Sequence, residues 1–418
     1  MTILAYILSV LALLMSLLFL IRLKFPRGFY VMPFKNIAGA LSPIWAVVGI
    51  VGAVLGWAYS APWAVPIGLV GAGMMIAYLL LVMRNHKRFD RAFGADWEDQ
   101  ITPDQRTKMV KRRWSPFLKM HSTAAPSWER DITYWMVPDT ERRLLCDIWQ
   151  PVNGDVSGLA FIFLHGGAWY YMDKDMFTRP FFHHLVAQGH TVMDVAYRLC
   201  PEVDIFSMIG DVEHAVAWMK SNADRYGVNP DKIVLGGGSA GGHLALMAAY
   251  ASGHPELTPE DLYNTDLSVC GVISYYGPSD LLALYHHTNQ ARMSNLPPVD
   301  IGPDTTISQR PEDWRMDTLL GGWPQTSPDA YRLASPISHV HPNCPPTLLI
   351  QGNQDLITPV DANRKLYTKL VNAGVPAINV IFPWTEHAFD IFFPQLSPPA
   401  QSALYDVDRF LALLANKA

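Results

Sequence analysis

A mostly parallel α/β sheet with helices on both faces, entered through about three membrane-spanning helices, is the architecture that three observations predict. Uncharged apolar runs close to 20 residues long fill most of the first 84 positions. From about residue 130 onward, short apolar runs alternate with amphipathic stretches. Two of those short runs lead directly into glycine-rich turns. Alternation of this kind builds a parallel sheet covered on both faces. The 418 residues hold 32 Lys+Arg and 37 Asp+Glu, a formal charge of −5, with half the chain hydrophobic and 17% charged. This composition excludes a disordered chain, which needs low hydrophobicity and high charge. It also argues against a nucleic-acid partner, since no basic excess is present. The mean hydropathy of +0.10 reflects the N-terminal excess.

Residues 1–21 contain no charged side chain. At about 1.5 Å per residue, such a run crosses a hydrocarbon core of about 30 Å. A cleaved signal peptide would need a positive start and a shorter apolar stretch. Here only Met1 and Thr2 precede the run, while Arg22, Lys24 and Arg27 follow it, so an anchor is expected. The transmembrane region is read as 1–84, with spans at about 2–21, 38–59 and 64–83. Gly49, Gly52 and Gly56 in the second and Gly68, Gly71 and Gly73 in the third allow close helix approach in lipid. Trp45, Trp57, Tyr59, Trp63 and Tyr78 suit the interfacial belts. Arg22, Lys24, Arg27 and Lys35 lie between the first two spans, and Arg84, Lys87, Arg88 and Arg91 follow the third. Positive residues favour the cytoplasmic side, which predicts a multi-pass membrane protein with an outside N-terminus and a cytoplasmic remainder.

Residues 85–127 form a polar linker or interfacial segment. Its basic stretch Lys108, Lys111, Arg112, Arg113 and Lys119, interleaved with Met109, Val110, Trp114 and Phe117, can be read as lying on anionic lipid or as a solvated linker helix.

The remaining domain, 128–418, is expected to carry strands at 132–137, 144–149, 159–164, 191–196, 232–235, 269–275, 347–350 and 379–382. The first two, close in sequence, should form an antiparallel hairpin. Helices are expected at 177–188, 207–226, 240–252, 360–372 and 399–415. Residues 281–342 break the rhythm, 295–310 most of all, and are read as a cap or lid insert over the C-terminal edge of the sheet. Leu281, Leu282, Leu284, Trp314, Leu319 and Leu320 give that insert an apolar lining. Cys146, Cys200, Cys270 and Cys344 lie too far apart for a disulfide framework and read as small buried hydrophobes.

The chemistry concentrates at four strand ends. Gly237-Gly238-Ser239-Ala240-Gly241 stands between an apolar run and a helical one. A serine on a tight strand-to-helix turn needs small neighbours, and the turn presents its hydroxyl at a helix start. Upstream, His165-Gly166-Gly167-Ala168-Trp169 follows another strand. The N–H groups of Gly166, Gly167 and Ala240 could together hold the negative oxygen of a tetrahedral intermediate. A serine hydroxyl also needs a base and an orienting carboxylate. Asp355 follows the strand at 347–350 and His387 follows the strand at 379–382, giving the chain order Ser, Asp, His. Asp361 and Asp390 are the rival carboxylates. The pairs His183-His184 and His286-His287 lack the accompanying ligands of a metal site, so no metal and no cofactor are predicted.

On these motifs, together with Ala196-Tyr197-Arg198-Leu199, the stretch from Gln351 to Pro359 and Glu386-His387-Ala388-Phe389-Asp390, the chain resembles the α/β-hydrolase superfamily. Within it, the resemblance is to the hormone-sensitive-lipase-like and BD-FAE-like carboxylesterases, over roughly residues 132–415. It implies an α/β-hydrolase fold and ester cleavage. Ser239, His387 and Asp355 would form the triad, Gly166, Gly167 and Ala240 the oxyanion hole, and His165, Gly237 and Gly241 its support. The expected partners are a small-molecule, hydrophobic ester and membrane lipid. Amide or formamide hydrolysis and acyl transfer would use the same triad. A non-catalytic membrane-tethered interaction module is the alternative of another class.

Overall fold

In a computed structural model, which describes residues 1–25, 27–84, 89–116, 125–152, 156–288 and 315–416, eight strands form one sheet in the order β1-β2-β4-β3-β5-β6-β7-β8. β1 (Ser127–Met136) and β2 (Arg143–Gln150) are the predicted antiparallel hairpin. β2 is also antiparallel to β4 (Thr191–Val195). The remaining pairings are parallel, through β3 (Ala160–Leu164), β5 (Ile233–Gly238), β6 (Gly271–Tyr275), β7 (Thr347–Gly352) and β8 (Ala377–Phe382). Each apolar run read as a strand is one. The central strands are buried on both faces, which is why they lack the alternation of a half-exposed sheet. Register decides where the site forms: Leu164 pairs with Gly237, Gly238 with Tyr275 and Gly352 with Phe382. The four loops after β3, β5, β7 and β8 that carry the candidate residues therefore leave the same edge.

The N-terminal region contains α1 (Thr2–Leu17), α2 (Met32–Ala40), α3 (Ser42–Ala58) and α4 (Ala64–Val82). Thr2–Leu20, counting a 3-10 turn after α1, and Ala64–Val82 are each long and apolar enough to cross a membrane. The expected second span is instead a bent pair, α2 meeting α3 at 73°. Pro43, in the first turn of α3, has no N–H to continue a helix from α2, so the chain breaks at Leu41. The packing is small-inside, large-outside. Ala5, Ser9 and Ala12 of α1, Gly49, Gly52 and Ala53 of α3, and Gly68, Gly71 and Ala72 of α4 are buried. Meanwhile Ile3, Ile7, Leu14, Val47, Val54, Leu69 and Leu80 face outward. A Cβ at Gly68 would come within 2.5 Å of the Gly49 carbonyl, so the seam closes only on glycine. Trp57 and Trp63, 81% and 71% exposed, flank the α3–α4 turn.

Two readings of this region need correction. Tyr78 does not belong to an interfacial belt: it is buried, stacked on Phe19, with its hydroxyl 3.1 Å from the hydroxyl of Thr385. Lys35 is not a loop charge: it is buried, 2.7 Å from Glu386. Both are drawn into the protein by polar partners in the distant sheet domain. Arg22, Lys24, Arg27, Arg84 and Arg91 remain exposed, whereas Lys87 and Arg88 lie outside the described residues.

After α5 (Phe89–Phe93), α6 (Pro103–Lys108) starts on a capping box between Thr102 and Gln105. The basic stretch that follows neither continues the helix nor turns wholly outward. It runs along the C-terminal helix (Pro398–Asn416) with Met109 and Val110 buried. The Val110 N–H donates to Asp408 at 2.7 Å, and Arg113 forms a two-pronged pair with Asp406 at 2.7 and 2.9 Å. Lys111 and Arg112 stay exposed, while Phe117 and Lys119 lie outside the described residues.

The sheet is flanked by α7 (Arg179–Ala187), α8 (Ile205–Ser221), α9 (Ala240–Tyr250), α13 (Val360–Asn372) and α14 (Pro398–Asn416), each within a few residues of its predicted position. Between α9 and α13 the insert contributes α10 (Leu281–His287), α11 (Met316–Leu320) and α12 (Pro328–Leu333). The segment 295–310 and Trp314 lie outside the described residues. Leu281, Leu284, Leu319 and Leu320 are buried and Leu282 is exposed.

Candidate active site

Ser239 occupies the single residue between β5 and α9, at φ 54° and ψ −119°. A non-glycine side chain in that region is strained. The turn is held because the Ser239 N–H donates to Tyr275 O at 2.9 Å and its carbonyl accepts from His243 N–H at 2.9 Å. The glycines around it are forced by close approach: a Cβ on Gly237 or Gly241 would lie 2.3 or 2.0 Å from the Leu164 carbonyl of the adjacent strand.

The loop after β3 lies against this turn, and a Cβ on Gly166 would sit 3.6 Å from the Cβ of Ser239. Gly167 adopts φ +114°, where a side chain would also collide with Tyr171 O. Among the described residues, nothing accepts a hydrogen bond from the N–H groups of Gly166, Gly167 or Ala240. His165 borders the same cavity, but its ring is held within the loop. It is buried and stacked on Tyr197 at 4.3 Å between ring centroids, and its carbonyl accepts from the Tyr197 hydroxyl at 2.8 Å. Burial lowers its pKa to about 4, so it stays neutral and fixes the loop.

Asp355 and His387 meet across the loops of β7 and β8. His387 Nδ1 is 3.0 Å from Asp355 Oδ2 and 3.1 Å from Oδ1. The carboxylate is fully engaged: Oδ1 accepts from the N–H groups of Ile357 and Thr358 at 2.9 and 2.8 Å, and Oδ2 accepts from Gln351 Nε2 at 3.1 Å. Of the rivals, Asp361 is an exposed partner of Arg364, and Asp390 accepts from the Tyr276 hydroxyl. Burial raises the Asp390 pKa, with the Tyr276 bond opposing it. The Tyr276 ring packs on His387 at 4.4 Å. Tyr276, at φ 42°, escaped the sequence reading, although it follows the apolar run of β6 at the same sheet edge.

Ser239, Gly166, Gly167 and His387 line one cavity of about 440 Å³, with Asp355 behind the imidazole. Its wall is mainly aromatic and aliphatic, including Phe163, Phe177 and Phe181 from the sheet domain and Leu284, Met316 and Leu319 from the cap. The region between α1 and α3 adds Phe25, Phe29, Met32 and Pro33, which no local pattern had marked. Of the histidines considered for metal, His184 is held by Asp408 at 2.9 Å.

The BD-FAE family model matches residues 146–370, from β2 into α13. The chain is 29% identical over 269 residues to the probable carboxylic ester hydrolase LipM of Mycobacterium tuberculosis, a match covering 64% of this chain and 57% of LipM. To esterase LipQ of the same organism it is 28% identical over 314 residues, covering 73% and 69%. The chain thus spans less than two thirds of LipM. A butyrate-bound esterase from Thermogutta terrifontis shares the fold, with a TM-score of 0.53 at 24% identity over 68% of this chain and 92% of that one.

Proposed function

The chain belongs to the BD-FAE family of the α/β-hydrolase fold, and we propose that it is a membrane-held serine hydrolase that cleaves carboxylic esters through Ser239, His387 and Asp355. The observation that carries this reading is the Asp355–His387 pair at 3.0 Å, whose imidazole opens into the cavity shared with Ser239, Gly166 and Gly167. Asp355 accepts a hydrogen bond from the Nδ1–H group, which leaves Nε2 as the base toward Ser239. Ser239 Oγ attacks the acyl carbon as His387 takes its proton. The carbonyl oxygen gathers negative charge against the N–H groups of Gly166, Gly167 and Ala240. His387 then gives the proton to the leaving alcohol, and water activated by the same imidazole releases the acyl group. No cofactor enters these steps.

The apolar wall favours a hydrophobic ester. At about 0.8 kcal/mol per buried methylene, kcat/KM for p-nitrophenyl esters is expected to rise about 10²-fold from acetyl to hexanoyl. A flat or falling series, or faster cleavage of the matching anilides, would contradict this preference.

The helical unit is read as three spans in lipid, with the N-terminus outside and the catalytic domain cytoplasmic. Large apolar side chains face outward while glycine, alanine and serine close the seam, the reverse of a water-soluble bundle. The exposed Arg22, Lys24, Arg27, Arg84 and Arg91 support the orientation. Protease added outside intact cells should leave the catalytic domain whole; its digestion would reverse the orientation.

A further inference from the structure

We infer that the N-terminal helical unit is part of the active site, with Lys35 a positioning residue for His387; this rests on the triad reading above. Three consecutive residues of the histidine loop are each held by that unit. Thr385 meets the Tyr78 hydroxyl at 3.1 Å, Glu386 pairs with Lys35 at 2.7 Å, and the His387 carbonyl accepts from Asn36 Nδ2 at 2.8 Å. Lys35 also donates to Ile21 O at 2.7 Å and to Gln354 Oε1, and Gln354 Nε2 returns to Phe19 O at 3.0 Å.

Glu386 makes this more than a tether. One of its oxygens takes Lys35, and the other accepts the Leu356 N–H at 3.0 Å, immediately after Asp355. It therefore joins the loop of the carboxylate to the loop of the base. Both side chains of the Lys35–Glu386 pair are buried, at 2% and 0% exposure. A buried carboxylate without its counter-charge is strongly unfavourable, so the loop keeps this geometry only while Lys35 is present. An anchor needs only apolar surface, and burying a paired ammonium two residues from Pro33 in the cavity wall is not required for anchoring. Among the described residues, Asp355 and Tyr276 touch the imidazole, Asp390 bonds to Tyr276, Glu386 precedes His387 in the chain and is paired with Lys35, and Arg315 lines the same cavity.

The test uses the full-length protein in detergent micelles, with rates normalised to active sites titrated by a fluorophosphonate. Lys35→Met should lower kcat about 10- to 100-fold, since small misplacement of a base has that effect. KM for a short ester should change less than about threefold. Removing the cation should also move the acid limb of the kcat/KM profile toward higher pH, by up to about one unit. The double variant Lys35→Met/Glu386→Gln, free of the unpaired carboxylate, should regain at least half of the loss on a logarithmic scale. If Lys35→Met does not accumulate as folded protein, Asn36→Ala replaces it, with an expected fall in kcat of about tenfold. Wild-type kcat and pH profile per active site in whichever variant folds would overturn the inference. A fluorophosphonate adduct away from Ser239 would overturn the triad reading and the inference with it. An adduct on Ser239 together with an unaffected Lys35→Met would overturn the inference alone.

Discussion

Replacing Ser239 by alanine is expected to lower ester hydrolysis about 10⁵- to 10⁶-fold, leaving only the rate that binding and the N–H groups supply. The size follows from the geometry. In the proposed triad, nucleophile, base and orienting carboxylate act as a unit, so loss of the attacking atom removes most of the effect of all three. The change should leave the fold intact. Ser239 is placed by its main chain, through the bonds to Tyr275 and His243. Alanine keeps the small volume the turn demands, and KM for a short ester should stay within a few-fold. Hydrolysis of p-nitrophenyl butyrate checks this, with the melting temperature as the control on folding. A variant retaining even a tenth of the activity would remove Ser239 from the mechanism.

Asp355→Asn should cost about 10⁴-fold in kcat through a different route. Oδ1 accepts two main-chain N–H groups, from Ile357 and Thr358, so the amide oxygen of asparagine must take that side. Its NH₂ group then faces His387 Nδ1 and Gln351 Nε2. The imidazole can answer a donor only by presenting a lone pair at Nδ1. Its proton moves to Nε2, and the nitrogen that should accept from Ser239 no longer can. The outcome to measure is a collapse of kcat with KM nearly unchanged. A loss smaller than about tenfold would show that this carboxylate does not set the tautomer.

The parts of this structure that could be read from the chain are those encoded locally. Strands such as 160–164 and 191–195 are buried on both faces and announce themselves as unbroken apolar runs. The glycines at 237 and 241 are dictated by contact with the next strand, so they mark the turn that presents Ser239. Asp355 and His387 follow directly on strand ends. What could not be read was non-local. Lys35 and Glu386 are 351 residues apart, and nothing near either one signals the other. The same holds for Arg113 and Asp406, which bind a stretch that resembles a lipid-facing basic patch to the last helix. Tyr78 looked like a belt residue because its partner, Thr385, belongs to a distant loop. The break at Leu41 needed the weight of a single proline judged against a continuous apolar pattern.

Ser239 is proposed here as the nucleophile served by His387 and Asp355. Incubating the intact protein with a fluorophosphonate and locating the adduct by peptide mass spectrometry tests it most directly. One adduct per chain is expected, on the peptide containing Ser239, and none in Ser239→Ala. An unlabelled Ser239, or equal labelling of both proteins, would contradict it.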